Sequence, residues 1–402
     1  MTESVVIVGA GEAGGQTAIS LRQGGYEGSI TIVGDEPYIP YERPALSKQF
    51  LARELEQERL YLRAADFYAK RNISIKLNEQ VTAIAPGNCV TLSDGSSIAA
   101  QSIVLATGGR VRSMTADGVD LKNIHYLRTI DDVLSFRDAL EPGINLAVVG
   151  GGYIGLEVAA VASRLGCKVT VLEMGGRVLN RVVAPVVSEF YTRVHREEGV
   201  NIRTGVTVSG FEGERQVEHV LCSDGSKLTA DVVIIGIGII PNIELAESAG
   251  LEINNGIVVD AFTRTSTDKV YAVGDCTNHP NDLLGRRLRL ESVQNAVSQG
   301  KAAANTILGK ESPYAEVPWF WSDQYNIKLQ MTGISDPDDQ VVVRGDSDTR
   351  SFSVCYLRDG ILVAVHALNR PKDFLQAKKA VAAKATPNIS RLADPGTPIK
   401  EL

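Results

Sequence analysis

Two clusters of glycine hold the residues of this sequence best suited to chemistry. Gly9, Gly11 and Gly14 stand at GxGxxG spacing in "SVVIVGAGEAGG", and Gly150, Gly152 and Gly155 repeat it in "NLAVVGGGYIGLE". Each cluster leaves an apolar, strand-like run and enters a helix-like one. In that setting the first glycine makes a tight turn, the second lets a pyrophosphate approach the backbone, and the third lets helix and strand pack closely. Carboxylates follow at the end of the next strand-like run: Asp35 and Glu36 after the first cluster, Glu173 after the second. A ribose hydroxyl would find its acceptor there. The chemistry implied is the holding of two dinucleotides, one at each cluster.

The elements that must position these residues read as alternating strands and helices, an α/β pattern. A first strand ends at Gly9, a helix runs from about Gly14 to Arg22, and a second strand covers Ile30 to Val33. In the second unit the strand after the helix covers Val169 to Leu172. "SIVLATGGR" (Ser102 to Arg110) and "ADVVIIGIGIIPN" (Ala230 to Asn242) are apolar strands ending in glycine turns. "TRTSTDKVYAVGDC" offers a further strand, with Asp275 after Gly274 either capping a cofactor hydroxyl or closing a turn. From Pro318 the character changes. Three short strands are expected at Gln340–Arg344, Ser351–Leu357 and Ile361–Ala367, with a hairpin turn at "RDG" and a helix over "KDFLQAKKAVAAK". The turn-rich end, "TPNISRLADPGTPIKEL", is expected to lie loosely along the surface.

Composition narrows the function classes. At 402 residues and 44% hydrophobic, the chain is long enough for two or three domains. A formal charge of −7 disfavours nonspecific nucleic-acid binding. No stretch reaches the roughly 20 apolar residues of a membrane helix. The first apolar run follows Glu3 without a basic leader, so a cytoplasmic protein is expected. Cys89, Cys167, Cys222, Cys276 and Cys355 are dispersed and form no CxxC or CxxxxC pair, which argues against a redox dithiol, a disulfide framework or a metal cluster.

The motifs "VGAGEAG", "VGDEPYIPYERPALSK", "IVLATGG", "VVGGGYIGLEVAA", "GIGIIPN", "VYAVGDC", "RLESVQNAVSQGKAAA" and "PWFWSDQY" run over nearly the whole chain. With them the sequence resembles the FAD-dependent, NADH-oxidising ferredoxin reductases that serve bacterial cytochrome P450 and Rieske-type oxygenase systems. These are glutathione-reductase-like flavoproteins. The resemblance implies two Rossmann-like dinucleotide-binding domains and a small C-terminal α+β domain. A discontinuous FAD domain would take residues 1–110 and 240–318, an NAD domain 111–239, and the C-terminal domain 319–402.

The same resemblance implies the site. FAD would lie over Gly9, Gly11, Glu12, Ala13 and Gly14, with its ribose near Asp35 or Glu36. Arg43, Lys48, Val81, Ala106, Thr107, Gly108, Gly274, Glu291 and Ser292 would approach it, with Arg128 beside the adenine half. Asp275 would lie on the ribityl chain, Val293 at the pyrimidine edge and Trp319 near the ring. NADH would meet Gly150, Gly152, Tyr153, Ile154, Gly155, Glu173, Arg177 and Arg181, together with Gly236, Ile237 and Gly238. Lys48 and Glu157 would form a pair beneath flavin and nicotinamide that tunes the site; an ordinary ion pair at a helix start is the structural alternative. A [2Fe–2S] ferredoxin would dock near Arg286, Arg287 and Arg289, which could otherwise belong to a solvated loop. If that segment is extended, Arg287 and Arg289 share one face. The protein would be a monomer or weak dimer. Other readings are an NADH oxidase and a non-enzymatic flavoprotein of the apoptosis-inducing type. Disulfide reductases and the cysteine-bearing peroxide and oxygen reductases lack their sulfur here.

Overall fold

The buried, β-branched run Ser4–Val8 lies at the centre of a five-stranded parallel sheet, as a strand covered on both faces does. The computed structural model describes residues 3–85, 87–310 and 312–401. The sheet's order is Val270–Ala272, Ser102–Leu105, Ser4–Val8, Ser29–Val33 and Ile73–Lys76. A second parallel sheet repeats this plan around Asn145–Val149, with Val232–Ile235 and Ile124–Tyr126 on one side and Lys168–Glu173 and Asn201–Thr204 on the other. In both, the central strand passes through a glycine turn into a 12-residue helix, Glu12–Gln23 or Tyr153–Arg164. In both, a small three-stranded antiparallel sheet precedes the return strand. The first helix begins at Glu12 rather than near Gly14, because Gly11 is its N-cap and Gly14 and Gly15 sit within its first turns.

The chain divides into two compact units. One comprises Met1–Arg43, Glu56–Arg110 and Ile239–Glu316; the other comprises Pro44–Leu55, Val111–Gly238 and Val317–Leu402. Among the described residues no helix is long and apolar enough to cross a membrane.

The C-terminal part of the second unit is a five-stranded antiparallel sheet, where three strands were expected. Its order is Trp319–Gln324, Ile327–Gly333, Ile361–Leu368, Phe352–Arg358 and Gln340–Gly345. The two additional strands carry the aromatic "WFWSDQ" and the apolar "IKLQMTG", and a two-residue turn, Tyr325–Asn326, joins them. The "RDG" hairpin forms as expected. Asp359 (φ 51°) and Gly360 (φ 78°) both adopt the left-handed conformation that matches the twist of a two-residue hairpin. The helix Pro371–Ala382 covers one face of this sheet, joining Leu362 and Val365 to Ala377 and Val381 in one core.

The chain end does not lie loosely. Residues 389–393 form a short helix, and Leu392 and Ile399 are fully buried in that same core. Arg344, 1% exposed, directs its guanidinium at this segment. It donates to the carbonyls of Leu392 (3.1 Å), Asp394, Pro395 (3.3 Å) and Thr397 (2.6 Å), and to the carboxylate of Asp373 at 3.0 Å. All five N–H groups are thereby engaged. Proline and glycine in the tail predict turns correctly but do not reveal that its carbonyls satisfy a buried cation. Replacing Arg344 with Met should cost about 2–4 kcal/mol: Asp373 keeps Arg370 and Ser353 as partners, but the buried Leu392 carbonyl and the inner side of the tail lose their charged donor. Denaturant unfolding should show this loss, together with faster proteolysis after residue 385. Parental stability with an uncut tail would refute the anchoring role.

Candidate functional site

The two glycine turns are built alike. Gly9 (φ 114°) and Gly150 (φ 110°) occupy conformations that side chains rarely adopt, and a Cβ there would sit 2.2 Å from Ala106 O and 2.4 Å from Gly236 O. The third glycines are excluded by proximity instead: a Cβ on Gly14 would meet Gly9 O at 2.0 Å, and one on Gly155 would meet Gly150 O at 2.1 Å. The middle glycines differ. Gly11 and Gly152 are the helix N-caps, neither supplies a side-chain cap, and nothing lies within 4 Å of where a Cβ would project. Each helix therefore starts with unsatisfied N–H groups beside open space, a fit for an anionic pyrophosphate.

In the first unit the turn gathers several expected residues. Ala106 touches Gly9, and Gly274 (φ 84°) abuts Ala13. Gly274 N donates to the buried Gln299 Oε1 at 2.7 Å. Gln299 belongs to the helix Val293–Ile307, which crosses the turn helix at Gly300. That helix starts at Val293 with Ser292 as its cap, and Glu291, just before it, pairs with Arg289 at 2.6 Å. Thr107 exchanges hydrogen bonds with Asn242 at 2.7 and 2.9 Å, which fixes the turn through Gly108. Glu36 accepts from Tyr41 OH and Arg43, each at 2.6 Å, while Asp35 is exposed at the strand end. Burial pulls the Arg43 pKa down, but Tyr41, Glu36 and Asp275 outweigh it, and the guanidinium stays charged. Val81 is buried at the start of the small antiparallel sheet.

In the second unit Glu173 closes on the glycine turn. Its carboxylate accepts from Gly151 N at 2.7 Å and Gly175 N at 2.6 Å, which holds it at the end of its strand. Ile154 is 41% exposed, whereas Tyr153 turns inward, donating to Met331 Sδ at 3.0 Å through its hydroxyl and packing against Phe320. Arg177 donates to Val183 O (2.8 Å) and Asn180 O (2.9 Å) of its own loop and to Ser188 Oγ (2.6 Å) in the helix Pro185–Glu197 that follows. Arg181 is exposed. The backbone of Arg128 donates to Asp132 just before a capped helix. Trp319 lies against Trp321, with the Lys378 ammonium 5.1 Å from the Trp319 ring centre.

Lys48 and Glu157, 109 positions apart, meet in this unit. A short 3-10 turn, Pro44–Ser47, delivers Lys48, and the second turn of the helix Tyr153–Arg164 delivers Glu157. Lys48 Nζ lies 2.6 Å from Glu157 Oε2, and Ser47 Oγ donates to the same oxygen at 2.5 Å. Ser322 Oγ donates to Oε1 at 2.6 Å. Glu157 is 2% exposed; burial pushes its carboxyl above the usual range, against the pull of Lys48, Ser322 and Ser47. Neither serine was singled out from the sequence, although both lie inside the distinctive segments "PALSK" and "WFWSDQ". A cavity of about 90 Å³ touches Lys48, Glu157, Asp323 and Tyr325.

Glu12, one residue into the first helix, behaves unexpectedly. Burial, reinforced by Glu42 and opposed by Arg63, raises its pKa to about 7, and Oε2 is buried without a hydrogen-bond partner. The folded chain therefore favours the protonated acid. Its stabilising contribution is complete below the ordinary value of 4.5 and is lost as pH rises through about 7. Glu12→Gln should stabilise the cofactor-free protein relative to the parent, with a gap that widens across this window to on the order of 1–3 kcal/mol. Urea unfolding at pH 5 and pH 8 measures both gaps; equal gaps would show that Glu12 does not titrate abnormally.

Comparison with known proteins gives a consistent assignment. A family model described as pyridine nucleotide-disulphide oxidoreductase matches residues 3–300, and one described as reductase C-terminal matches residues 319–402. Putidaredoxin reductase CamA of Pseudomonas putida is 46% identical, covering 100% of this chain and 96% of its own. The ferredoxin–NAD(+) reductase component of the anthranilate 1,2-dioxygenase system of Burkholderia cepacia is 41% identical, covering 98% of each. The reductase fold in the crystal structure of the covalent putidaredoxin reductase–putidaredoxin complex superposes with a TM-score of 0.97 at 45% identity, over 99% of this chain and 97% of that one. With both glycine-turn cradles shaped for a dinucleotide, the chain belongs to the pyridine nucleotide-disulphide oxidoreductase family and is an FAD-dependent oxidoreductase that uses NAD(H).

Proposed function

We propose that this protein oxidises NADH and reduces a [2Fe–2S] ferredoxin that supplies a cytochrome P450 or Rieske-type oxygenase. One NADH would reduce two ferredoxins and release NAD⁺ and a proton. The observation that carries the reading is the pairing of two dinucleotide cradles with no redox dithiol: all five cysteines are free and scattered. Bound FAD supplies the required chemistry, accepting a hydride and giving up electrons singly. The relatives named as ferredoxin reductases along their whole length support the partner class. Within this reading the first cradle, with Asp35, Arg43 and Asp275, holds FAD, and the second, with Glu173, holds NADH. Lys48 and Glu157 tune reduction; they are not nucleophiles or acid–base catalysts. Purified protein should reduce one member of a ferredoxin panel at the expense of NADH far faster than it consumes NADH alone. Equal NADH consumption with and without every ferredoxin would favour an oxidase.

The coenzyme should be NADH. Two backbone amides pin the Glu173 carboxylate at the strand end, where a 2′-phosphate would meet like charge while ribose hydroxyls could donate. The kcat/KM for NADH should exceed that for NADPH by more than about tenfold, or about 1.4 kcal/mol. Glu173→Ala should narrow the ratio. Comparable values for both coenzymes in the parent would overturn the assignment.

We assign the ferredoxin surface to the neighbourhood of Arg286, Arg287 and Arg289. Arg286–Leu288 is an extended strand, and Arg287 and Arg289 are anchored on one side by Asn278 and Asn255. Arg287 also donates to Val259 O at 2.6 Å, and Arg289 pairs with Glu291, so their heads are held in place. Small ferredoxins are acidic, and complementary charge raises association rates. Arg287→Gln and Arg289→Gln together should raise the apparent KM for ferredoxin severalfold at low salt, and the difference should fade as salt screens the encounter. Ferricyanide reduction should be unchanged. An unaltered ferredoxin KM at low ionic strength would put the surface elsewhere.

A further inference from the structure

The carboxylate of Glu157 is the end of a longer chain of hydrogen bonds. Ser322 Oγ donates to Glu157 Oε1 at 2.6 Å, and Gln324 Nε2 donates to Ser322 Oγ at 3.2 Å. His195 Nε2 lies 2.8 Å from Gln324 Oε1, and Tyr325 OH lies 3.1 Å from His195 Nδ1. Ser322, Gln324 and His195 are each no more than 1% exposed, so their polar atoms depend on one another for partners. Strand alternation sends residues 322 and 324 to one face of Trp319–Gln324, and His195 comes from the last turn of the helix Pro185–Glu197.

Valence sets the direction of this chain. An ionised carboxylate only accepts, so the Ser322 hydroxyl must give its one proton to Glu157. Ser322 then accepts from the Gln324 amide nitrogen, which turns the amide oxygen toward His195. His195 must therefore carry its proton on Nε2. Burial lowers the His195 pKa to about 4, so the ring is neutral, Nδ1 is bare, and Tyr325 must donate to it. Every donor points the same way, from Tyr325 toward Glu157. The opposite alignment, with the amide flipped and His195 protonated on Nδ1, would make Ser322 donate to Gln324 and would require a protonated Glu157.

We propose that Tyr325, His195, Gln324 and Ser322 are positioning residues whose aligned hydrogen bonds hold Glu157 ionised and aimed at Lys48, so that the tautomer of His195 is tied to the charge of Glu157. The consequence for catalysis rests on the assignment of Lys48 and Glu157 to flavin reduction; the tie itself rests on geometry. An amide conducts protons poorly, so the chain orients charge and does not transport it. Other titratable groups face it as well. Tyr153 and Tyr191 lie near Glu157, and burial raises both pKa values and keeps them neutral. Glu198 acts on both His195 and Tyr325, and Arg350 opposes it at Tyr325.

Nitrogen-15 NMR of histidine-labelled holoprotein reads the tautomer without any variant. His195 should be neutral and protonated on Nε2 from pH 8 down to about pH 5. A ring protonated on Nδ1 over that range would overturn the proposal. The rate of flavin reduction by NADH against pH supplies the second arm. Ser322→Ala removes a charge-assisted donor, so the acidic limb should move up by about one pH unit. His195→Leu should move it the same way by less, whereas His195→Gln, whose amide can replace the Nε2–H donor, should restore the parental limb. A His195→Leu profile that superimposes on the parent would also overturn the proposal. Lys48→Ala separates the two readings: an unchanged reduction rate would refute the assignment of the ion pair to catalysis, while the tautomer arm still decides the chain.

Discussion

A carboxylate cannot be buried alone, and the arrangement around Glu157 follows from that rule. Moving an ionised carboxyl into a dry interior costs several kcal/mol even after relaxation, unless donors replace the lost water. Three do so here, from segments remote in sequence: Ser47 and Lys48 from one, Ser322 from another. This requirement explains why Pro44–Leu55 belongs with the second unit although the residues on both sides of it belong to the first. Other contacts reinforce the excursion. Phe50 and Leu51 are fully buried, the Arg137 guanidinium lies 4.7 Å from the Phe50 ring centre, and Glu54 pairs with Arg164 at 2.8 Å. The same stretch that supplies the cation is thus fixed by apolar burial on one side and charge on the other.

The glycine turns obey a different constraint, and it is local. A Cβ on Gly14 or Gly155 would meet the glycine five positions before it, so the spacing reveals the turn, although the partners that crowd Gly9 and Gly150, Ala106 and Gly236, lie far along the chain. Both turns, their strands and the acids Asp35, Glu36 and Glu173 were legible for that reason. The duplicated sheet order follows from the same units used twice. Legibility stopped at the first tertiary contact. The sequence places Glu12 beside a phosphate cradle, but only the packed structure shows a carboxyl there with one oxygen lacking a partner and a pKa raised to about 7.

Residues whose meaning depends on distant partners were read less well. Lys48 and Glu157 are 109 positions apart, and no periodicity links them; only resemblance to a family suggested the pair. Arg177 shows how local partners escape such a reading: it is expected at the coenzyme, and the carbonyls of its own loop and Ser188 take donors of its guanidinium. The chain end misled for a related reason. Its prolines and glycine describe the local path, while the interaction that holds it comes from Arg344, more than forty positions upstream. Backbone carbonyls carry no signature in sequence, so a segment that serves mainly as a carbonyl surface looks disordered.

Burial raises the thiol pKa of Cys167, Cys276 and Cys355, the last to about 12, so these sulfurs are poorly suited to becoming thiolates near neutral pH. Family members that pass electrons through sulfur need the reverse: a low-pKa thiol with a partner close by. Here the electrostatic effort is concentrated on an ammonium–carboxylate pair, with aligned neutral groups behind it. In the proposed reading such a pair would bias a bound cofactor toward its reduced state, but it cannot itself store electrons. The electrons must then leave for an external acceptor, which makes the surface that receives that acceptor as much a part of the working site as the two cradles.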